Sequence, residues 1–554
     1  MGLVALLTLT VRMPFAIDPL SSDEGGLLLV ASQWRPGTSL YGNYWVDRPP
    51  LLLDFFSLAN TLGGTIALRM LGACLVAFSV VLAGRIGATA VPRTHVLRWT
   101  PVLTAGTAAV FLVNPLFGAL EVDGELVAVA LVLLSAERML RASSAGGAIS
   151  TRWLYFTAGA AAAAAVLVKQ NEVDALVLMA VLSVGTVRHR GGASAARAVA
   201  TFFAGAVTCV GVVLAHALTR GTTLPGLWEA VVTFRLDASA VISSSASSAT
   251  SARLRSVLVC LVVSGAPAIV VLLARRLRAR VAPPAVNLRP AAIALLAWES
   301  VSMLAGGSYW LHYLLVLVPG LVFAVAVICA GSGNADEVPA ARSSRTVPAS
   351  LLAVLTYAAV ASLAAISVVG FRTDSTSGGD AIGAWLATHK QPGDTAVVAY
   401  GHANILQDSG LSSPYPELWS LPIKVRDPQL LDLTRVLAGR SRPDWVVTTG
   451  ASLDAWGIDS SSATVELRDH YRDVAIVGDS HIYHRLPQPS VAAHHQHKRS
   501  HRGSVVVVRS LSGWRPDPEP HDQHTPDHGP KDAEQGPGSN GVLLGDQDPV
   551  YDGR

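Results

Sequence analysis

The chain has 554 residues, of which 51% are hydrophobic and 15% are charged, with a mean hydropathy of +0.42. This balance excludes a water-soluble protein built around one core and predicts a polytopic membrane protein. The net charge of +3 is too small to indicate a nucleic-acid partner, and the four cysteines all lie in apolar runs, which argues against a disulfide or metal framework.

Apolar runs predict the membrane-spanning helices, since a helix needs about 20 residues to cross a bilayer. The first run lacks a small-residue cleavage site, so we interpret it as a retained helix and not as a signal peptide. We predict eleven spans, near 2–17, 66–88, 99–118, 122–140, 154–170, 172–187, 198–218, 256–274, 290–306, 309–331 and 348–370. Residues 51–64 form a further interfacial or re-entrant candidate. The transmembrane part is therefore expected to cover 1–370.

Basic residues in short loops predict the orientation, because such loops favour the cytoplasm. Five alternate loops carry the arginines: Arg85, Arg93 and Arg98; Arg138, Arg141 and Arg152; Arg188, Arg190 and Arg197; Arg275, Arg276, Arg278, Arg280 and Arg289; Arg342 and Arg345. The intervening connections carry none or, near 169–173, only Lys169. We therefore expect a cytoplasmic N-terminus, a first outer loop over 18–65, a second over 219–255, and an extracytoplasmic chain after 371.

The pattern after residue 371 predicts a small α/β domain to about 486. Short β-branched runs occur in "GDTAVVAYG", "PDWVVTTG" and "DVAIVGDSHIYHR", and the last indicates a hairpin that turns at Gly478-Asp479. Helical stretches are expected near 380–390, 428–439 and 461–470. Residues 487–554 are too poor in apolar groups to fold, so we predict a disordered tail, and we predict a flexible tether at the Ser-rich "SSSASSATS". The expected fold class is mainly α with about 11 transmembrane helices, plus this α/β domain.

The first outer loop concentrates polar and aromatic residues that a lipid-embedded chain does not need. It begins with "SSDEGG" and continues through "LYGNYWVDRPPLL", which combines an acidic pair, an aromatic cluster and an Asp-Arg-Pro-Pro turn. A hydrated helix flank with an aromatic belt is the simpler interpretation of these residues. The alternative is a site where substrates meet the membrane surface.

These motifs resemble the first-loop pattern of the GT-C class of membrane glycosyltransferases, which includes protein O-mannosyltransferases and aminoarabinose transferases. The resemblance continues in order along the chain, in "EVDGELVAVALVLLSAERML" (121–140), "VLVKQNEVDALVL" (166–178), "LWEAVVTFRLDA" (227–238) and "GGSYWLHYLLVLVPGL" (306–321). It covers residues 1–486. Each fragment is weak evidence alone, but the ordered set on one predicted membrane face is stronger.

The resemblance implies transfer of a sugar from a polyprenyl-phosphate donor to an acceptor hydroxyl of a protein, glycan or lipid on the outer face. An acceptor hydroxyl needs a base, for which we select Asp23, with Glu24 positioning it or a second substrate group. The phosphate leaving group needs positive charge and no acid. The candidate phosphate-binding cations are Arg48, Lys169, Arg235 and Arg12. For Arg12 the alternative is snorkelling, and for Lys169 it is anchoring at a helix end.

Further residues complete the expected site. A second acidic site is assigned to Glu121, Asp123 and Glu125, although these acids could instead cap a tight connection. The substrate pocket is expected to include Tyr44, Trp45, Tyr309, His312 and Tyr313. His312 and Tyr313 have an alternative role as an aromatic anchor. No metal ligand is assigned and no cofactor is required, but the acids leave room for a divalent cation.

Two other classes of function remain open from the sequence. A secondary transporter or lipid-carrier flippase would place its ionisable residues near the membrane midplane, whereas here the acids lie at the predicted outer surface. A noncatalytic envelope scaffold would use the α/β domain for binding and would make the first loop dispensable. The Ala, Val and Leu-rich helices favour a bacterial plasma membrane.

Overall fold

A computed structural model describes residues 1–90, 99–144, 148–244, 248–278, 288–330, 348–372, 378–450, 453–454, 458–487 and 506–508. In chain order its helices are α1 Gly2–Arg12, α2 Ser22–Ser32, α3 Pro50–Thr61, α4 Thr65–Ala90, α5 Thr100–Leu112, α6 Gly124–Ser144, α7 Ala148–Val168, α8 Asp174–Arg190, α9 Gly192–Thr219, α10 Leu224–Trp228, α11 Phe234–Ser244, α12 Ser248–Val263, α13 Ala266–Arg278, α14 Arg289–Ala305, α15 Val318–Ala330, α16 Ala349–Arg372, α17 Gly378–His389, α18 Ala403–Ser409, α19 Ser420–Arg426, α20 Leu431–Ala438 and α21 Ser461–His470. Short 3-10 or π segments are Met13–Ile17, Pro115–Phe117, Glu229–Thr233 and Leu311–Leu317.

Five helices in the described residues are long and apolar enough to cross a membrane: Thr65–Thr89, Ile149–Val168, Gly192–Thr219, Leu311–Ala330 and Ala349–Gly370. Two bent pairs raise the number to seven, with bends of 79° between α1 and α2 and 100° between the α10–α11 segment and α12. The predicted count of eleven is therefore not confirmed. Some of the other predicted spans correspond to helices that are short, such as α5 with 13 residues, or charged, such as α6.

The core of the helical part forms around α15, whose residues from Val318 to Cys329 are all buried. Helices α4, α5, α13 and α14 pack against it. Helices α7 and α9 cross at small residues, because a β-carbon at Gly159 would lie 1.7 Å from the carbonyl oxygen of Phe202. In lipid the hydrophobic effect does not favour helix association, so membrane helices associate through close packing at small residues.

The α/β part contains a five-stranded sheet in the order β1-β2-β4-β3-β5. The strands are β1 Ala396–Ala399, β2 Trp445–Thr449, β3 Tyr471–Val477, β4 Ser480–Arg485 and β5 Val506–Val508. Strands β1 and β2 are parallel, β2 and β4 antiparallel, and β3 pairs with β5 in parallel. The expected hairpin is observed, since β3 and β4 pair antiparallel around Gly478, which has a φ of 60°.

The structure bears on two further sequence expectations. The Ser-rich tether predicted over 243–251 is helical up to Ser244 and again from Ser248, while 245–247 lie outside the described residues. Val506–Val508 forms β5 within the tail that we expected to be disordered, because an apolar run finds the open edge of β3. Apart from Pro487, the rest of that tail lies outside the described residues.

Candidate active site

Helix α2 begins at a capping box. The Ser21 hydroxyl accepts a hydrogen bond from the Glu24 backbone N–H, and the Glu24 carboxylate accepts one from the Ser21 N–H at 3.1 Å. This reciprocal pair fixes the first turn of α2, where Asp23 lies. The "SSDEGG" motif is therefore first of all a helix start, and its position decides where the Asp23 carboxylate stands.

Glu24 is held by protein contacts on both carboxylate oxygens. It is only 1% exposed, forms an ion pair with Arg69 on α4 at 2.7 Å, and accepts the backbone N–H of Val122 at 2.8 Å. Both carboxylate oxygens are thus engaged. Glu24 therefore joins α2 to α4 and to the segment before α6, and its role in catalysis stays a prediction.

Arg12 contacts the same segment before α6, and its phosphate-binding role stays a prediction. Its buried guanidinium donates to the backbone carbonyls of Leu112 at 3.2 Å, Leu120 at 3.0 Å and Ala119. Arg69 donates to the Leu120 carbonyl as well, at 2.7 Å. Backbone carbonyls take three of the five N–H donors of Arg12, so it pins the 119–120 connection.

Asp23 faces the α/β part of the protein. The indole N–H of Trp419 donates to Asp23 Oδ1 at 2.8 Å, and Asp23 is only partly buried. Its charge raises the pKa of Arg48 and contributes to the raised pKa of Asp123, so the three side chains lie within electrostatic reach of one another. The structure therefore brings Asp23 and Arg48 to one region.

Asp47 holds two of the predicted phosphate-binding cations. Its two oxygens lie 2.7 Å from Nη1 of Arg48 and 2.6 Å from Nη2 of Arg235. Burial alone would raise the pKa of Asp47, but Arg235 and Arg48 lower it below the usual value. The Arg48 and Arg235 side chains stay 23% and 34% exposed, and each guanidinium has five N–H donors, so both keep donors for an anionic ligand.

Lys169 is the third cation. Its ammonium forms an ion pair with Glu125 and lies 4.7 Å from the centroid of the Tyr313 ring. Burial, followed by the nearby Arg48, lowers the pKa of Lys169 to about 7. An anion bound beside it would restore its charge.

Asp123 and Glu125 meet His312 beside this lysine. His312 Nδ1 lies 3.5 Å from Asp123 Oδ2, and its Nε2 lies 3.6 Å from Glu125 Oε1. Asp123 Oδ1 accepts the Leu126 N–H at 2.9 Å, while Oδ2 is buried without a hydrogen-bond partner. Burial raises the pKa of Asp123 to about 7.

The same three residues fit a divalent cation by donor type. One ligand atom from each of Asp123, Glu125 and His312 lies within 4.8 Å of the others, and two carboxylates with an imidazole form a common metal-binding set. Lys169 competes for this position, because its ammonium already contacts Glu125. The arrangement thus suits either an ammonium or a metal ion.

Tyr44 and Trp45, expected in the substrate pocket, are buried against the α/β part. Tyr44 is fully buried, and its hydroxyl accepts the backbone N–H of Ser413 at 2.8 Å. Trp45 is 2% exposed and donates its backbone N–H to Pro416 at 3.1 Å. Both aromatic residues attach the first loop to the α/β part, because a loop between two packed units buries its large side chains.

The remaining predicted residues lie around this cluster. Tyr313 contacts Lys169 as described above, and its ring centroid lies 5.1 Å from that of His312. Tyr309 packs against the membrane-embedded core with a φ of 56°, and Glu121 is half-buried at the start of the segment that leads to Asp123. Asp23, Arg48, Lys169, Arg235, Asp123, Glu125 and His312 form the cluster that we call the candidate site.

Arg426 connects the α/β part to two membrane-side segments. It contacts Glu417 at 2.8 Å and Glu229, and its guanidinium carbon lies 4.4 Å from the centroid of the Trp45 ring. Glu229 lies shortly before Arg235 in the chain, so Arg426 secures the segment that carries Arg235. Burial raises the pKa of Glu417 to about 7 although Arg426 opposes the shift.

Sequence reasoning missed several of these residues. Trp419, Arg69 and Arg426 lie far in sequence from their partners, and no local pattern predicts such pairing. Glu299 carried a signal, since a carboxylate in a predicted span is rarely without function. It is fully buried, shares a hydrogen bond with Asp174 and accepts the Gly320 N–H at 2.8 Å.

The comparison with known proteins identifies the fold. No protein-family model matches the chain, and no curated protein matches its sequence. The structure of ArnT from Cupriavidus metallidurans bound to undecaprenyl phosphate is 14% identical and superposes with a TM-score of 0.56 over 88% of this chain and 99% of that one. The apo state of the same protein gives a TM-score of 0.53 at 14% identity, covering 88% and 98%. This likeness confirms the expected GT-C fold.

Proposed function

We propose that this protein is a membrane glycosyltransferase that moves a sugar from a polyprenyl-phosphate carrier to an acceptor hydroxyl. The observation that carries the proposal is the grouping of Asp23 with Arg48, Arg235 and Lys169 at the junction of the helices and the α/β part. The shared fold supports it, because the ArnT structure with that fold holds undecaprenyl phosphate. A base beside several cations suits attack on a phosphate-activated sugar.

In the proposed reaction the acceptor oxygen attacks the anomeric carbon of the donor. The acceptor proton passes to the Asp23 carboxylate as the new carbon–oxygen bond forms. The bond between the anomeric carbon and the phosphate oxygen breaks, and its electron pair leaves with the carrier phosphate. A single displacement of this kind inverts the configuration of the sugar, and no acid is required because the leaving group is an anion.

The cations act on the donor phosphate. Arg48 and Arg235 are oriented by Asp47, so they enter the reaction without reorganisation and can stabilise the negative charge that develops on the leaving oxygen. Lys169 adds a third charge once the phosphate raises its pKa above about 7. Removing one preorganised donor of this kind typically costs about 3–4 kcal/mol of transition-state stabilisation.

Asp123, Glu125 and His312 border the phosphate position through Lys169. A divalent cation held by these three residues would supply further positive charge beside the donor. In its absence Lys169 neutralises Glu125, and the protonated form of Asp123 is favoured by burial. We therefore infer that the protein's own cations suffice for phosphate binding.

The membrane placement completes the proposal. We infer that the candidate site lies at the extracytoplasmic surface of a bacterial plasma membrane, with a cytoplasmic N-terminus. We assign residues 1–370 to the transmembrane domain and 371–486 to the extracytoplasmic α/β domain, to which Val506–Val508 adds strand β5. The arginine-rich alternate loops support this orientation.

Transfer from radiolabelled polyprenyl-phosphate sugars by purified protein in detergent tests the proposal. Wild type should transfer label to acceptor and release polyprenyl phosphate, whereas Asp23→Asn and Arg48→Ala should lose most of this activity. Asp54→Asn and Arg35→Ala are matched controls, since Asp54 pairs with His216 at 2.9 Å and Arg35 is exposed. Full turnover by Asp23→Asn would refute the base assignment, and carrier movement across vesicles without sugar transfer would favour a flippase.

A further inference from the structure

The α/β part of the protein reaches into the candidate site through one side chain. Trp419 immediately precedes α19, and its indole N–H donates to Asp23 Oδ1 at 2.8 Å. In the described part of the chain this is the sole hydrogen bond of the Asp23 side chain. The group proposed to take the acceptor proton is thus held by a residue almost 400 positions away, on a different structural unit.

The first turn of α2 is shaped for this approach. A β-carbon at Gly26 would lie 2.4 Å from Cζ2 of Trp419, and one at Gly25 would lie 2.5 Å from the Cα atom of Asn404. Neither position can carry a side chain without moving the α/β part. The Ser22 hydroxyl also donates to the carbonyl of Gly401. The two glycines after the acidic pair therefore let the indole approach the helix closely and reach Asp23.

The chemistry of the indole suits the task of holding a base. Its N–H is a donor only and does not titrate, so it cannot take the proton that Asp23 is proposed to receive. A donated N–H stabilises the ionised carboxylate and fixes its rotamer, while the second carboxylate oxygen stays available. An imidazole in the same place would compete for the proton.

We propose that Trp419 is a positioning residue that orients the Asp23 carboxylate toward the acceptor hydroxyl, so that the α/β part completes the active site. This inference rests on the proposed function. The α/β part then has a role in the chemical step in addition to any role in acceptor recognition. Fast sugar transfer therefore requires the α/β part to be docked on α2, with Trp419 hydrogen-bonded to Asp23.

Steady-state transfer by Trp419→Phe tests the proposal, because phenylalanine keeps an aromatic ring on Gly26 and removes the N–H. We expect kcat to fall about 10- to 100-fold, the loss typical of a hydrogen bond to a charged group, with the donor KM within about twofold of wild type. The rate constant of a single turnover at saturating donor should fall by the same factor, because it reports the step in which Asp23 takes the proton and does not depend on the fraction of active protein. Trp445→Phe is the matched control: its indole donates to Asp394 Oδ2, also at 2.8 Å, away from the site.

A second variant guards against loss of folding. Gly26→Ala keeps the indole but pushes it from Asp23, and it should show the same fall in the single-turnover rate constant. A wild-type single-turnover rate constant in either folded variant would overturn the proposal, even with a lower kcat, because a purely structural defect lowers the active fraction without changing the rate of the active molecules. Asp23→Asn separates the two claims. If Asp23→Asn is inactive while Trp419→Phe behaves as wild type, only the role of Trp419 fails; if Asp23→Asn is fully active, the proposed base fails.

Discussion

Arg69 and Glu24 form an ion pair of 2.7 Å in which both side chains are buried. Glu24 is the neighbour of Asp23, and its second contact, with the Val122 N–H, reaches the segment that carries Asp123. One buried pair therefore sets the position of both acidic parts of the candidate site.

We expect Arg69→Met to destabilise the protein strongly, by about 3–5 kcal/mol, because it leaves the Glu24 carboxylate buried without its cation. Adding Glu24→Gln should recover part of this loss, since the double variant no longer buries an unpaired charge. Thermal melts in detergent measure both effects. Equal melting temperatures for wild type and Arg69→Met would show that the pair does not support the fold.

Arg48→Lys should weaken donor binding although it preserves the charge. An ammonium lacks the planar fork that lets Arg48 contact Asp47 and still present donors to a phosphate. We expect the donor KM to rise by about tenfold, measured with a radiolabelled polyprenyl-phosphate sugar. The exposed Arg35, changed to lysine, is the control from the same loop. An unchanged KM for Arg48→Lys would mean that Arg48 acts only as a point charge or not at all.

Donor affinity should depend on pH through Lys169. Its pKa is lowered to about 7, so the free protein loses the ammonium charge as the pH rises above that value, and binding of an anion then requires uptake of a proton. Affinity should weaken by up to about tenfold per pH unit between 7 and 9. Asp123, whose pKa is raised to about 7, adds repulsion over the same range as it ionises.

The variant Lys169→Arg isolates the lysine contribution, since a guanidinium stays charged throughout this range. We expect it to flatten much of the pH dependence, and Lys169→Arg with Asp123→Asn to remove most of the rest. Equilibrium binding of donor to the Asp23→Asn background avoids turnover during the measurement. A slope in the Lys169→Arg variant as steep as in the parent protein would exclude Lys169 as the titrating group.

Chelation should leave transfer within about twofold of the untreated rate. The reason is that the Lys169 ammonium already contacts Glu125 and supplies the positive charge that a metal would bring to Asp123, Glu125 and His312. The measurement is sugar transfer after dialysis against EDTA, with and without added Mg²⁺ or Mn²⁺. Loss of activity on dialysis and its return with either ion would show that a cation is required.

Features that depend on composition or on residues close together in the chain could be predicted from the sequence. The apolar runs predicted the membrane-embedded class, and the turn at Gly478 predicted the β3–β4 hairpin because its two strands are adjacent in the chain. The grouping of Asp23 with Arg48 was expected from the motif that contains both, and the structure places them within electrostatic reach.

Residues whose role depends on distant contacts could not be predicted. The sequence motif predicted Glu24 as part of a catalytic pair, but it could not predict the contacts of Glu24 with Arg69 and Val122. Arg12 looked like a lipid-facing or phosphate-binding cation, and its partners are carbonyls more than 100 residues away. Trp419 had no signal at all, since an isolated tryptophan in an α/β segment is usually part of a core.

A single-turnover measurement tests the role of Asp23 most directly. Protein saturated with labelled donor is mixed with saturating acceptor, and the rate of polyprenyl-phosphate release is followed for wild type and Asp23→Asn. We expect Asp23→Asn to bind donor as wild type does but to react about 100- to 10,000-fold more slowly, because a general base has been removed. Release at the wild-type rate by Asp23→Asn would contradict this expectation.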